Sequence, residues 1–488
     1  MKVLFAASEL YPLATTGGLG EVAHALPHAL AALGEAPTLM LPAYRCVLDR
    51  LEGRDLAGAC TLPGVGREHE ARLWWGRAQG IDLPLLLLDI PVLYDRPGTP
   101  YGEDAEHEWW DNGERFAVFA RAVVEVAMGR AAPHARFDLV HANDWQTGLV
   151  PAFLSLESAR PRSVFTIHNL AYQGLFPSSL FSGLGLPPSW WSLDGLEFYG
   201  QMSMIKGGIL WADRVTTVSP SYAEEICTPE FGCGLEGALQ QCRAQGRLKG
   251  IVNGIDTERW NPATDPHLAR RYSPARGWVS AKAANRAALL ESLGCAPQEA
   301  RREAPLAGFI GRLVAQKGVD LLLEALPGLL ERTPLRFVAL GAGEARFAQG
   351  FAALAAAHPQ RVFVHLGYDE PLAHRIEAGC DVFVMPSRFE PCGLNQMYSM
   401  RYGTPPVVHA VGGLRDTVVD TTEATLAAGT ATGFVFTEPT AAALTAALAR
   451  ALTHWEKPRT WRTIQRNGME QDFGWPRRAA EYRELYHG

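Results

Sequence analysis

Short apolar runs that end in glycine-bearing loops recur along the whole chain, each followed by apolar positions at helical spacing. Lys2–Ala7 reads as a buried strand, Thr15–Gly20 as a turn, and Val22, Leu26, Ala29, Leu30 and Leu33 as one face of a helix. Glu35–Leu41, Asp82–Leu88, Phe137–His141, Ser163–Ile167 and Arg214–Val218 are further strands, with a helix over Arg115–Gly129. The second half repeats the rhythm through Leu306–Ile310, Arg336–Leu340, Arg361–Leu366, Asp381–Met385 and Pro406–His409, then an Ala-rich helix over Thr440–Leu452. Such alternation predicts α/β architecture, with mostly parallel sheets covered on both faces.

A chain of 488 residues exceeds what one core holds, since single cores rarely grow beyond about 300 residues. The rhythm breaks after Gly250–Gly254. Asp256–Arg276 is polar, contains Pro262, Pro266 and Pro274, and reads as a joining segment with Trp260 and Trp278 as anchors. The expected division is residues 1–255, residues 256–460, and a helical stretch 461–488 interrupted by Gly474 and Pro476. Two such domains facing each other make a deep cleft, and ligands of open parallel sheets bind beyond the strand carboxyl ends.

Composition narrows the partners. Hydrophobic residues make up 47%, enough for large cores, and 45 basic against 52 acidic residues give a net charge of −7. That balance, with no basic stripe, argues against nucleic acid. Val3–Ala7 is too short for a signal peptide, and Asp82–Asp89 is far shorter than the roughly 20 residues of a membrane helix. The eight cysteines form no CxxC pair, so they read as reduced thiols of a cytoplasmic protein; no compact metal-ligand pattern occurs.

Several post-strand loops carry chemistry. Thr15-Thr-Gly-Gly-Leu-Gly-Glu21 opens a helix, where glycines permit close approach and free N–H groups favour phosphate; a plain tight turn fits equally. Gly311-Arg-Leu-Val-Ala-Gln-Lys-Gly318 brings two cations, Arg312 and Lys317, either to grip phosphate or to sit as solvated surface charges. Ser387-Arg-Phe-Glu-Pro-Cys-Gly-Leu394 places Glu390 at a strand–helix junction, within reach of sugar hydroxyls. Cys392 in the same loop reads as a small structural residue rather than a nucleophile. Val411-Gly-Gly-Leu-Arg-Asp-Thr417 offers the backbone N–H groups of Gly412, Gly413 and Leu414. His141-Ala-Asn-Asp-Trp145 and Thr166-Ile-His-Asn169 also follow strands; His168 suits either a sugar contact or a structural role. The pairs Trp109-Trp110 and Trp190-Trp191 suit sugar faces or domain edges alike.

Other landmarks in order are Ser8-Glu-Leu-Tyr-Pro12, Gly17-Gly-Leu19, Tyr172-Gln-Gly174, Asn253-Gly-Ile-Asp256, Gln316-Lys-Gly318, Pro386-Ser-Arg-Phe-Glu-Pro-Cys-Gly-Leu394 and Asp416-Thr417. The ordered set resembles bacterial glycogen synthases and plant starch synthases over nearly the full chain. The resemblance implies the GT-B fold, two Rossmann-like domains facing across a deep cleft, the terminal helix crossing back to the first. It implies ADP-glucose as donor, an α-1,4-glucan as acceptor, retention of configuration, and transfer without a metal or other cofactor. Its usual path is front-side displacement through an oxocarbenium-like ion pair.

Carried over residue by residue, the resemblance implies that Arg312 and Lys317 bind the donor phosphates, Glu390 orients the glucosyl ring, and His168 contacts the transferring sugar. Asp144 and the Gly17-Gly18 loop assemble the first-domain side, Gly413 and Leu414 add backbone contacts, and Tyr368 packs near adenine. One departure stands out: the family's motif commonly reads Lys-x-Gly-Gly-Leu, and Thr15 occupies the lysine position here. Glu21 stands where Asp is common, and Asn143 and Gln146 where His often occurs. The expectation is retained activity. A transferase with another donor or acceptor, or a weakly active glucan-binding protein, are the rival readings.

Overall fold

Continuous apolar runs make strands that a sheet buries on both faces, and this is what the chain does with most of them. In the computed structural model, which describes residues 1–104, 107–132 and 136–488, the first part of the chain forms β1 (Lys2–Ala6), β2 (Ala36–Pro42), β3 (Gly53–Pro63), β4 (Glu68–Ala78), β5 (Ile81–Asp89), β6 (Leu139–Asn143) and β7 (Arg162–Ile167). A small antiparallel sheet follows, of β8 (Leu175–Pro177), β9 (Glu197–Phe198) and β10 (Gln201–Ser203), and then β11 (Arg214–Thr217) and β12 (Leu248–Gly250). The nine-stranded sheet runs β12-β11-β7-β6-β1-β2-β5-β4-β3. From β12 to β5 it is parallel; β4 and β3 add an antiparallel edge that the apolar runs did not announce.

The second part forms β13 (Leu306–Ile310), β14 (Arg336–Gly341), β15 (Val362–Leu366), β16 (Val382–Met385), β17 (Pro406–His409) and β18 (Phe434–Phe436). These make an all-parallel sheet in the order β15-β14-β13-β16-β17-β18. Its core joins Phe309, Phe337 and Phe351 to Leu322 and Leu326 of the helix Val319–Arg332 and Leu448 of the helix Ala441–Trp455. Both sheets are Rossmann-like. In each, the strand order reverses direction beside the first strand: between β1 and β6 in one, between β13 and β16 in the other. Those reversals are where open α/β sheets bind ligands.

The chain divides into one compact unit of Met1–Gly254 with Trp475–Gly488 and another of Ile255–Gly474. Two segments near the division pack as follows. The polar stretch 256–276 packs into the second unit: Trp260 stacks between His374 and Tyr398, each 3.9 Å between ring centroids. Asp265 accepts bonds from Tyr402 Oη and His374 Nδ1 at 2.6 and 2.7 Å. The stretch 461–488, expected as a helical segment interrupted by Gly474 and Pro476 that returns to the first domain, is shared between the two units, and only Trp475–Gly488 joins the first. The helix Pro458–Met469 puts Trp461 and Ile464 into the second core. The helix Trp475–His487 packs on the helix Gly18–Ala32 and places Tyr486 Oη 2.6 Å from His141 Nδ1.

Candidate active site

In the second unit the loops after β13 and β16 are tied together. Gly318 has φ +68°, and a Cβ there would lie 2.1 Å from the Pro386 carbonyl oxygen, so only glycine lets the turn after Lys317 approach the other loop this closely. Arg388 completes the tie. Its guanidinium grips Asp320 at 2.6 and 2.7 Å and donates to the Ala315 carbonyl, while its backbone N–H donates to Gln316 at 2.8 Å. Held this way, Lys317 Nζ lies 2.5 Å from Glu390 Oε2, which also accepts from Ser387 Oγ at 3.0 Å. His409 Nδ1 lies 2.8 Å from the Ser387 carbonyl oxygen. Arg312 reaches Gln316 Oε1 at 3.1 Å from the same turn.

This geometry leaves specific capacity for a ligand. An ammonium has three protons and Lys317 gives one to Glu390. Among the described residues, no hydrogen bond is made to Glu390 Oε1, although the carboxylate is nearly buried. One side of the pair can therefore donate to phosphate while the other accepts from a sugar hydroxyl. The backbone groups of the double-glycine loop are engaged differently from expectation. Gly413 N–H donates to the Glu390 carbonyl at 3.1 Å, and Leu414 N–H to the Val411 carbonyl at 3.0 Å. Gly412 has φ +43°, and a Cβ there would lie 2.0 Å from the Glu390 carbonyl oxygen. The loop supports Glu390 from behind. Tyr368 is 82% exposed beyond β15, at the sheet edge, two strands from the β13–β16 reversal.

The first unit organises its loops around two buried carboxylates. Asp144 follows β6 with φ +59° and ψ −179°, a conformation that is strained for any residue with a side chain. Its carboxylate accepts from the His168 N–H at 2.9 Å and the Asn169 N–H at 3.4 Å, joining the loops after β6 and β7. Burial raises its pKa to about 7, against the pull of those N–H groups, and the Glu9 charge adds to the rise. Asn143 donates to the Ala6 carbonyl, so its Oδ1 is the acceptor for His168 Nε2 at 3.0 Å. That bond puts the proton on Nε2 and leaves the Nδ1 lone pair for a ligand hydroxyl. Burial lowers the His168 pKa to about 3, so the ring is neutral at physiological pH.

In the glycine loop of this unit, read as a phosphate-binding turn or a plain tight turn, two N–H groups already have internal acceptors. Thr15, Thr16, Gly17 and Gly18 are exposed, but the N–H groups of Thr16 and Gly17 donate to Glu9 Oε2 at 2.7 and 3.1 Å. Thr15 folds over Gly20, where an added Cβ would lie 2.8 Å from its Oγ1. Glu9 in turn accepts from Tyr101 Oη at 2.7 Å. Glu9 lay in the Ser8–Pro12 landmark without a role, and Tyr101 carried no signal in sequence. Among the described residues, no group of three or more His, Cys, Asp or Glu is arranged to hold a metal ion. No helix there is long and apolar enough to cross a membrane.

The chain is similar to known proteins over its whole length. A model of the starch synthase catalytic domain matches residues 2–241, and one of glycosyl transferases group 1 matches residues 296–468. A glycogen synthase of Hydrogenovibrio crunogenus is 51% identical over 487 residues, spanning 100% of this chain and 99% of its own. The chain belongs to the bacterial glycogen synthase family. A glycogen synthase of Thioalkalivibrio sulfidiphilus is 50% identical over 488 residues, covering 100% and 99% of the two chains. Among solved structures, the catalytic domain of Starch Synthase IV from Arabidopsis thaliana, bound to ADP and acarbose, superposes with a TM-score of 0.88. It is 34% identical and covers 99% of this chain and 98% of its own. Membership of the glycogen synthase family makes the fold GT-B and the chemistry glucan synthesis by glycosyl transfer.

Proposed function

We propose that the chain transfers glucose from ADP-glucose to the non-reducing-end 4-hydroxyl of an α-1,4-glucan, with retention at the anomeric carbon. The observation that carries this reading is the Lys317–Glu390 pair, held at the β13–β16 reversal with donor and acceptor capacity unused. The ADP and acarbose bound to the Arabidopsis relative match its two halves, a diphosphate and an oligosaccharide.

In this reading the second unit binds the nucleotide sugar. Lys317 and Arg312 neutralise the diphosphate as the bond between glucose C1 and the β-phosphate oxygen breaks and ADP leaves with the electron pair. Charge-assisted bonds of this kind stabilise the transition state most, because the charge on the leaving oxygen grows there. Glu390 holds the glucosyl ring through its hydroxyls. The first unit supplies the acceptor side. His168 accepts a hydrogen bond at Nδ1 from a hydroxyl of the transferring glucose, and Asp144 keeps the His168 backbone in place. The glucan 4-oxygen bonds to C1 on the face that ADP leaves, and its proton passes to the departing phosphate oxygen. Tyr368 lies against adenine, and no metal or other cofactor takes part.

Thr15 supports a second reading, a glucan-binding protein with weak turnover, because the family's common cation is absent there. One experiment separates the two. A panel of nucleotide-glucose donors is mixed with maltooligosaccharides while nucleotide release and chain length are followed together. Extension by single glucose units with ADP-glucose is the expected outcome. Glucan binding with no nucleotide release from any donor would establish the second reading instead.

A further inference from the structure

Three arginines begin three neighbouring strands of the first unit. Arg162 opens β7, Arg214 opens β11, and Arg247 directly precedes β12. The register places them on one face. Arg214 pairs with Val164, which lies two residues beyond Arg162 and so on the same side of β7. Val215 pairs with Leu248, which sets Arg247 beside Arg214 on the next strand. Side chains of equal register in parallel strands point the same way. The three line a groove of about 610 Å³ together with Asp213, Gln241 and Gln245. That volume lies within the range of small-molecule sites, about 300–1,000 Å³.

Positive charge predominates among the side chains that line the groove. Among the described residues, no carboxylate lies within 4 Å of the three guanidinium groups. Asp213 lines the groove, but Arg160 grips it at 2.6 and 2.8 Å and Ser163 donates to it twice. Like charges on adjacent strands repel, and an anion between them removes the repulsion. The arginines are also pre-set. Arg162 Nη1 donates to the Tyr486 carbonyl at 2.9 Å, Arg214 Nη1 to the Asp213 carbonyl at 3.1 Å, and Arg247 Nη1 to the Ala212 carbonyl at 2.7 Å. Among the described residues, none of the three uses Nη2 in a hydrogen bond. Each guanidinium is anchored on one side with its other arm open, the form in which arginine grips phosphate.

The groove is separate from the candidate catalytic residues. Asp144 and His168 follow the carboxyl ends of β6 and β7, whereas Arg162, Arg214 and Arg247 stand at the amino ends of β7, β11 and β12. The six residues of β7 alone span about 20 Å. We infer that this groove binds a small phosphate monoester, its dianion between Arg162, Arg214 and Arg247 and its hydroxyl-bearing remainder against Gln241 and Gln245.

The test is calorimetric titration of the full chain with ADP in excess, so that the donor site is already filled. Inorganic phosphate, AMP and glucose 1-phosphate are the three probes. The expected result is one-site binding that the double variant Arg214→Gln/Arg247→Gln weakens about tenfold or more, with transfer in the absence of probe within twofold of wild type. Equal affinity for all three probes assigns recognition to the phosphate alone; tighter AMP or glucose 1-phosphate assigns part of it to the remainder. No binding of any probe to wild type at about 10 mM overturns the inference. Binding that survives the double variant, or that Lys317→Ala abolishes, does so as well. If the double variant fails to fold, Arg214→Gln alone serves, since Arg214 makes a single bond, to the carbonyl of its chain neighbour.

Discussion

The candidate residues of the two units are prepared for chemistry in opposite ways. In the second unit, charge is kept: Lys317 and Glu390 face each other at 2.5 Å, and Arg388 and Asp320 brace the loops that carry them. In the first unit, charge is suppressed: burial holds His168 neutral and brings the Asp144 pKa to about 7. A leaving diphosphate is stabilised by fixed positive charge, and a sugar hydroxyl can be positioned by a neutral hydrogen-bond acceptor. In the proposed reaction this contrast suits the second unit to leaving-group stabilisation and the first to positioning the transferring sugar.

The largest expected effect tests the charged side. Lys317→Ala should lower kcat for glucosyl transfer about 10³-fold, the scale seen when a charge-stabilising group is removed from a transition state. A rate within threefold of wild type would break the comparison at its strongest point. His168→Ala should lower kcat about 10²-fold, the scale of a positioning contact. Its loss should be constant from pH 5 to 9 in rate profiles, because the ring of the folded protein does not protonate in that window. A loss confined to low pH would mean that His168 acts as imidazolium.

Asp144→Asn sharpens the contrast through stability. The folded pKa of about 7 lies above the unfolded value of about 3.9. Between those values the unfolded chain has released the proton that the folded chain retains, so stability falls as pH rises from about 4 to about 7 and is level above. Asparagine removes that loss. The variant should therefore be more stable than wild type at pH 8, by on the order of 4 kcal/mol, and the gain should shrink toward pH 4 in thermal unfolding. Equal melting at both pH values would show Asp144 to be ionised in place. The smallest effect concerns Thr15. Its exposed side chain sits above Gly20, away from the Glu9 bonds, so Thr15→Lys should raise kcat/KM for ADP-glucose only about two- to fivefold, as for one exposed charge. A gain of two orders of magnitude would place the missing cation at the centre of the chemistry.

Strands buried on both faces were legible because burial alone writes their pattern. Leu306–Ile310 and Pro406–His409 are strands over those same residues. The β3–β4 edge was not, because it is half-exposed and charged, with Arg54, Asp55, Glu68, Glu70 and Arg72 within it. Only the alternation that buries His69, Ala71 and Leu73 carried a signal, and it is a period of two rather than a run. The packing of Asp256–Arg276 was hidden for a related reason. The partners of Trp260 and Asp265 are more than 100 positions away, beyond any local pattern. The site loops were visible one at a time, whereas the pairing of Lys317 with Glu390 across 73 positions needs the strand order. Nor does sequence reveal that the amides of Gly17, Gly413 and Leu414 already have internal acceptors.

The return of Trp475–His487 to the first unit has a consequence for biosynthesis. The helix Gly18–Ala32 emerges from the ribosome before the second unit, and the surface it packs against emerges after it. At about 5–20 residues per second, all of Ile255–Gly474 must be made in between, which takes on the order of tens of seconds. During that interval His141 lacks its tyrosine partner and an apolar helix face stands open to water. The nascent first unit therefore passes through a stage with apolar surface open to aggregation, which gives a chaperone something to hold.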